Sequence, residues 1–182
     1  VTLIVNMFGG PGAGKSTQAA GLFYRLKMKG INCELITEKA KDLTWEKNFM
    51  ALDHQLFVSA SQVYRQERLE GQVDCLITDS PILLGIFYAK ADNSSRNKHL
   101  ANYLLAAFDE KDNFNVYIKR KNNYSFAGRN QTKEEAEEID KAVIKFIDYH
   151  NIPLFTVDGS QDGLDQLTNA VCGVLRRDGI IA

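Results

Sequence analysis

Val1-Thr2-Leu3-Ile4-Val5-Asn6-Met7-Phe8-Gly9-Gly10-Pro11-Gly12-Ala13-Gly14-Lys15-Ser16-Thr17 decides how the rest of the chain is read. Its first half is an apolar run with the composition of a buried strand. Its second half satisfies G-x-x-x-x-G-K-[ST] at every constrained position, from Gly9 through Gly14 to Lys15-Ser16. Glycines let the backbone curl so that successive N–H groups converge on phosphate oxygens. Lys15 can reach the β- and γ-phosphates, the Ser16 hydroxyl can ligate Mg²⁺, and the helix that follows adds the positive end of its dipole. The plain alternative is a glycine-rich turn that happens to end in Lys-Ser. A strand before the loop and a helix-length segment after it favour nucleotide binding by Gly9, Gly10, Pro11, Gly12, Ala13, Gly14, Lys15, Ser16 and Thr17.

Outward from that stretch, the 182 residues suit one sizeable domain, and 45% apolar with 25% charged residues is ordinary for a soluble globular protein. A net charge of −1 suggests no global affinity for polyanions, although it does not report local patches. Cys33, Cys75 and Cys172 are odd in number and scattered, so buried free thiols are expected rather than a disulfide frame or a zinc site. The N-terminal apolar run is too short for a signal peptide or membrane span, and a reducing, cytoplasmic location is the default expectation.

Periodicity and punctuation predict five strands, near Val1–Phe8, Asn32–Thr37, Val73–Thr78, Phe114–Lys119 and Pro153–Val157. Helices are expected from Ser16 to Lys29, with Ala19, Ala20, Phe23 and Leu26 inward, and from Thr44 to Glu70 as one long element. Phe49, Leu52, Leu56, Ala60 and Val63 would form the inner face of that long helix. Further helices follow at Ile82–Ala91, His99–Glu110, and after a capping box at Thr132-Lys133-Glu134-Glu135, whose helix turns Ala136, Ile139, Val143, Phe146 and Ile147 inward. Ala91–Lys98 reads as a connection and Arg120–Gln131 as a loop. A last helix buries Leu164, Leu167, Val171, Val174 and Leu175. Strands alternating with helices imply a parallel sheet covered on both faces, a three-layer α/β/α fold whose ligands bind beyond the carboxyl ends of the strands.

Polar candidates fall at those ends. After the third strand comes Asp79, whose carboxylate suits Mg²⁺ or a Mg²⁺-bound water, with Asp-Ser-Pro as a helix opener the alternative. After the second comes Glu38, either a base for an attacking hydroxyl or a first-turn acid of the next helix. After the fourth come Lys119-Arg120-Lys121 and then Arg129. Residues 120–132 form a candidate lid whose Arg120 and Arg129 would close over the transferring phosphoryl group, against the alternative of a solvated basic loop. Gln55, Gln62, Arg65 and Arg68 could line an acceptor pocket, and Arg96, Lys98 and His99 could hold an acidic acceptor. Trp45, Tyr64, Tyr88 and Tyr124 could stack on a base, though aromatics are more often core or rim.

Together these residues resemble the P-loop nucleoside and nucleotide kinase superfamily over nearly the whole chain. The resemblance implies a strand order of 2-3-1-4-5. No N-K-x-D motif suggests a GTPase, and a motor or remodelling ATPase would need additional helical regions. Glu38-Lys39-Ala40-Lys41 is similar to the E-x-A-R stretch of ribosylnicotinamide-kinase-like proteins. Thr78-Asp79-Ser80-Pro81 and Gly128-Arg129-Asn130-Gln131 are similar to stretches of bacteriophage-encoded P-loop kinases, which would put the protein in a host cytoplasm. Asp79-Ser80-Pro81 departs from the Glu-Arg-Ser of deoxynucleoside kinases and the Asp-Arg of thymidylate-type kinases.

The resemblance implies ATP and Mg²⁺ as donor and cofactor, and a nucleoside or nucleotide-like small molecule as acceptor, bound near Glu38 or Asp79. Lys15, Glu38, Asp79, Arg120 and Arg129 would be catalytic, with Ser16 and Asp79 organising the metal. Two other readings stay open: phosphorylation of a hydroxymethylated pyrimidine in DNA, and a regulatory ATPase that couples hydrolysis to a protein partner.

Overall fold

Strand β1 (Leu3–Phe8), the apolar run of the opening stretch, lies at the centre of a five-stranded sheet. The computed structural model describes residues 2–89, 94–120 and 132–181. On one side β1 pairs with β3 (Cys75–Thr78), in register Leu3 with Cys75, and β3 pairs with the edge strand β2 (Cys33–Ile36). On the other side it pairs with β4 (Asp112–Lys119), which pairs with β5 (Phe155–Asp158). Every pair is parallel and the order is β2-β3-β1-β4-β5, the expected three-layer α/β/α topology.

All six residues of β1 are buried, because helices cover both of its faces. Leu3, Val5 and Met7 pack with α1 (Lys15–Met28) and α8 (Gln161–Arg177). Phe8 faces the opposite layer of α4 (Gln55–Glu67), α5 (Leu84–Ala89), α6 (Ser95–Asp109) and α7 (Lys133–Tyr149). Asn6, the polar residue of the run, donates to the side-chain oxygens of Asn113 (2.8 Å) and Asn115 (3.1 Å) on β4. The inward stripes of α7 and α8 are those the periodicity predicts, with Ile139 and Val174 only partly buried. The Thr132 capping box closes as expected: Glu135 N–H donates to Thr132 Oγ1 (3.2 Å), and Thr132 N–H donates back to Glu135 Oε2 (2.7 Å). All three cysteines are buried free thiols; burial lifts Cys33 to about 11 and pushes Cys75 still higher.

The long helix expected over Thr44–Glu70 is three helices: α2 (Lys39–Trp45), α3 (Phe49–Leu52) and α4. Thr44 does not cap, since its hydroxyl donates to the Ala40 carbonyl inside α2. The chain leaves the helix at Lys47, with φ +55°, and each new helix is opened by a side chain. Asn48 accepts from Ala51 N–H, and His54 Nδ1 from Phe57 N–H. The predicted inner face is also wrong: Phe49 and Leu56 are 54% and 57% exposed, Ala60 is exposed, and only Val63 of the set is buried. The buried face of α4 carries Ser59, Gln62, Val63 and Gln66. Three- and four-residue spacing alone cannot tell the two sides of a helix apart when one side is turned to a polar cleft.

Smaller differences follow local chemistry. Ala20 of α1 is exposed, and Leu22 takes the inward place. The polar stretch before His99 is already helical from Ser95, because Ser94 caps α6 by accepting from Asn97 N–H (3.3 Å). Among the described residues no helix is long and apolar enough to cross a membrane.

Candidate functional site

The loop between β1 and α1 turns on glycines in the left-handed region, Gly9 at φ +144°, Gly12 at +76° and Gly14 at +103°. Side chains rarely adopt those angles. Gly14 hands the chain to α1, so the first N–H groups of that helix open into the loop as a ready anion site. Lys15 curls back across the loop, its ammonium donating to the carbonyls of Gly9 (2.8 Å) and Gly10 (3.0 Å). Burial lowers its pKa, while Glu38, Asp79 and Asp140 pull it back up and Arg120 adds to the fall.

At the second residue of α1, Ser16 Oγ donates to Asp79 Oδ2 across 2.5 Å. Asp79 directly follows β3, beside β1 in the sheet, and this adjacency joins residues 63 positions apart. It caps no helix, since α5 begins at Leu84. Its second oxygen, Oδ1, is buried and has no hydrogen-bond partner among the described residues. A buried carboxylate oxygen left unpaired beside a serine hydroxyl is a donor set with room for a hard cation.

Glu38 follows β2 at the head of α2 and makes no capping hydrogen bond. Its carboxyl faces a cleft of about 900 Å³ that begins at the phosphate loop and runs beneath α2, α3, α4 and α5. Burial pushes its pKa up, Lys15 opposes this, and Asp79 reinforces it. The cleft also takes in Gln55, Ser59 and Gln62 from α4, Tyr88 from α5, and Lys41, Trp45 and Lys47 from the α2–α3 corner. Burial, with Glu38 and Asp140 nearby, raises the Tyr88 hydroxyl to about 12.

The predicted residues do not all meet here. Gln62 lines the cleft, but its amide braces the β2–α2 turn: Oε1 accepts from Lys39 N–H (3.0 Å) and Nε2 donates to Thr37 O (3.4 Å). Arg65 pairs with Asp42 and donates to Thr37 O, and with Arg68 and Tyr64 it borders a separate groove on the β2 side. Trp45 is 71% exposed at the cleft rim. Arg96, Lys98 and His99 are exposed on α6 and do not line the cleft. Arg129 and Tyr124, with the rest of the candidate lid from residue 121 to 131, lie outside the described residues.

Arg120 lies behind the phosphate loop, where Nε donates to Asp140 Oδ2 (2.7 Å) and Nη2 to the Pro11 carbonyl (2.7 Å). Asp140 itself escaped the sequence reading. Its signal was an acid on the buried stripe of α7, in line with Ala136, Val143 and Ile147. Ser59 escaped because a serine among the apolar residues of α4 has no motif around it.

A family model described as AAA domain matches residues 4–162 of the chain. No curated protein matches it in sequence. Among solved structures, deoxyadenosine kinase from M. mycoides with the products dCMP and a flexible dCDP bound aligns with a TM-score of 0.61 at 18% identity, covering 93% of this chain and 99% of that one. The same enzyme with bound dATP aligns at a TM-score of 0.57 and 17% identity, over 92% and 98% of the two chains. At that identity the likeness shows a shared nucleotide-kinase fold.

Proposed function

The chain belongs to the AAA domain family, and from that premise we propose that it is an ATP- and Mg²⁺-dependent phosphotransferase. The γ-phosphate passes to a hydroxyl of a nucleoside, nucleotide or related small molecule. One observation carries this reading: the phosphate loop and Glu38 open into the same cleft, with the Ser16–Asp79 pair at the loop's edge. A loop built only for hydrolysis needs no chamber of about 900 Å³ beside its lysine. The bound nucleotides of the deoxyadenosine kinase structures agree with a nucleoside-like acceptor. The resemblance of Glu38–Lys41 and Thr78–Pro81 to ribosylnicotinamide-kinase-like and bacteriophage kinases belongs to the same proposal.

Each residue then has a part. The loop N–H groups and the start of α1 bind the donor's phosphates, and Lys15 moves its ammonium from the Gly9 and Gly10 carbonyls to the phosphate oxygens. Ser16 Oγ and Asp79 Oδ1 would hold Mg²⁺, which neutralises charge on the phosphates when bound. Glu38 accepts the proton of the attacking hydroxyl, and burial makes its carboxylate a stronger base than one in water. Positioning of the two substrates supplies much of the remaining rate.

The test is transfer of label from γ-labelled ATP with Mg²⁺ to panels of nucleosides, nucleotides, nicotinamide riboside and hydroxymethylated DNA. Label in a small acceptor is expected. Label in DNA alone would replace the acceptor class, and free phosphate irrespective of acceptor would make the protein an ATPase that serves a partner. Lys15→Ala is expected to abolish transfer with the fold intact by circular dichroism, and unchanged turnover in that variant would remove the assignment.

A further inference from the structure

The start of the phosphate loop is held from behind by a pair of charges that no part of the reaction described above uses. Asp140, on α7, accepts from Gly10 N–H through Oδ1 (2.5 Å) and from Arg120 Nε through Oδ2 (2.7 Å). Arg120 in turn donates through Nη2 to the Pro11 carbonyl (2.7 Å) and, more weakly, to the Ala136 carbonyl (3.4 Å). The ring is therefore closed: Gly10 to Asp140, Asp140 to Arg120, Arg120 to Pro11, with Pro11 bonded to Gly10 in the chain. Both charged side chains are about nine-tenths buried, at 9% and 11% exposed, where charge-assisted hydrogen bonds are stronger than at the surface.

We propose that Asp140 and Arg120 are a positioning pair that sets the phosphate loop in its donor-binding shape, and that Arg120 acts on the loop rather than on the transferred phosphoryl group.

Three observations support this. The Gly10 N–H points at Asp140 and the Pro11 carbonyl at Arg120, so the peptide units on either side of the Gly10–Pro11 bond are anchored outward, leaving the later N–H groups of the loop for the phosphates. The anchored Gly9–Gly10 unit and the Gly10–Pro11 unit held between the two anchors present the carbonyls of Gly9 and Gly10 that hold Lys15, and the Gly10 carbonyl also accepts from Ala13 N–H (3.2 Å). Moving them would move the lysine. Finally, α7 approaches so closely that a Cβ on Gly10 would meet Asp140 Oδ1 at 2.5 Å and the Ala136 carbonyl at 2.9 Å. Gly10 is one of the unconstrained positions of the phosphate-loop pattern, so its glycine answers to this contact and not to the motif.

This rests on the proposed nucleotide site, but its main readout, ATP affinity measured directly by calorimetry, needs no acceptor and no transfer. If no acceptor is ever phosphorylated, the phosphotransferase reading fails while the affinity series still decides the clamp. Asp140→Ala and Arg120→Ala are each expected to weaken ATP binding by about 10- to 100-fold, the loss of one buried charge-assisted interaction. Where transfer is measured, the donor KM rises with little change in kcat or in the acceptor KM. Asp140→Asn, which keeps an oxygen for Gly10 N–H, should recover part of the affinity. Arg120→Ala/Asp140→Ala should bind ATP no worse than the weaker single variant, because either change already frees the loop.

The opposite pattern overturns the proposal: Asp140→Ala with wild-type ATP affinity, or independent losses that multiply in the double variant with Arg120→Ala lowering kcat. If Asp140→Ala does not fold, Asp140→Asn and Arg120→Lys carry the same comparison. Wild-type affinity in both would equally exclude the clamp.

Discussion

Glu38 shows how much a single side chain's surroundings decide. The sequence left it between a base and a first-turn acid, and in the fold it faces Lys15, Asp79 and the cleft. Burial raises its pKa above the ordinary 4.5, so the folded protein keeps this proton to higher pH than the unfolded chain does. The stability linked to it is therefore full below 4.5 and is lost as pH rises through the folded value. The proposed role as base needs the opposite state, the carboxylate, so under that proposal the rate should fall on acidification with a midpoint above 4.5. Glu38→Gln should lower kcat by about 10²- to 10⁴-fold, remove that acid limb and raise the melting temperature near neutral pH. Loss of activity with the acid limb retained would assign the base elsewhere. Lys15, Ser16 and Asp79 differ from Glu38 in legibility. The motif's spacing singled out Lys15 and Ser16, an acid ending an apolar strand singled out Asp79, and the fold brings Ser16 and Asp79 into hydrogen bond. Asp140 had no such marker, because its partners Gly10 and Arg120 are 130 and 20 residues away in the chain.

Elements with strong local signals were readable, and the wall of the cleft formed by α2, α3 and α4 was not. The strands, α1, the Thr132 capping box and the stripes of α7 and α8 follow from periodicity and caps that act within a few residues. The segment from Thr37 to Glu67 fails that logic because it forms one wall of the cleft. Polar Gln55, Ser59 and Gln62 face inward while Leu56 and Tyr64 face solvent, inverting the usual rule for a helix. The breaks at Lys47, Asn48 and His54 shape that wall. At Lys47 the left-handed backbone predicts a specific order of stabilities. A β-branched residue is strained there, so Lys47→Val should cost about 1–2 kcal/mol in a denaturant melt, whereas Lys47→Gly should be neutral or stabilising. Equal effects of the two would mean that this corner does not hold its turn in solution.

At the scale of the molecule, the sheet brings four chain segments to one edge: the phosphate loop after β1, Glu38 after β2, Asp79 after β3 and Arg120 after β4. If that edge is the donor site, ATP with Mg²⁺ must stabilise the whole fold by mass action. At a hundred times its dissociation constant it should add about 2.7 kcal/mol, an increase of roughly 5–10 °C in melting temperature for a domain of this size. Differential scanning with and without a chelator checks this, and a shift that survives both chelation and Asp79→Ala would exclude the metal pair. The sequence by itself determined the strands of the sheet, the helices α1, α7 and α8 that cover it and the phosphate loop, because strand burial, capping and phosphate-loop geometry are written in neighbouring residues. The tertiary structure alone decided which face of α4 lines the cleft, that Gly10 must be small, and that Arg120 reaches Asp140 and Pro11. Each of those depends on which distant backbone a side chain meets, and that is set only when parallel strands align.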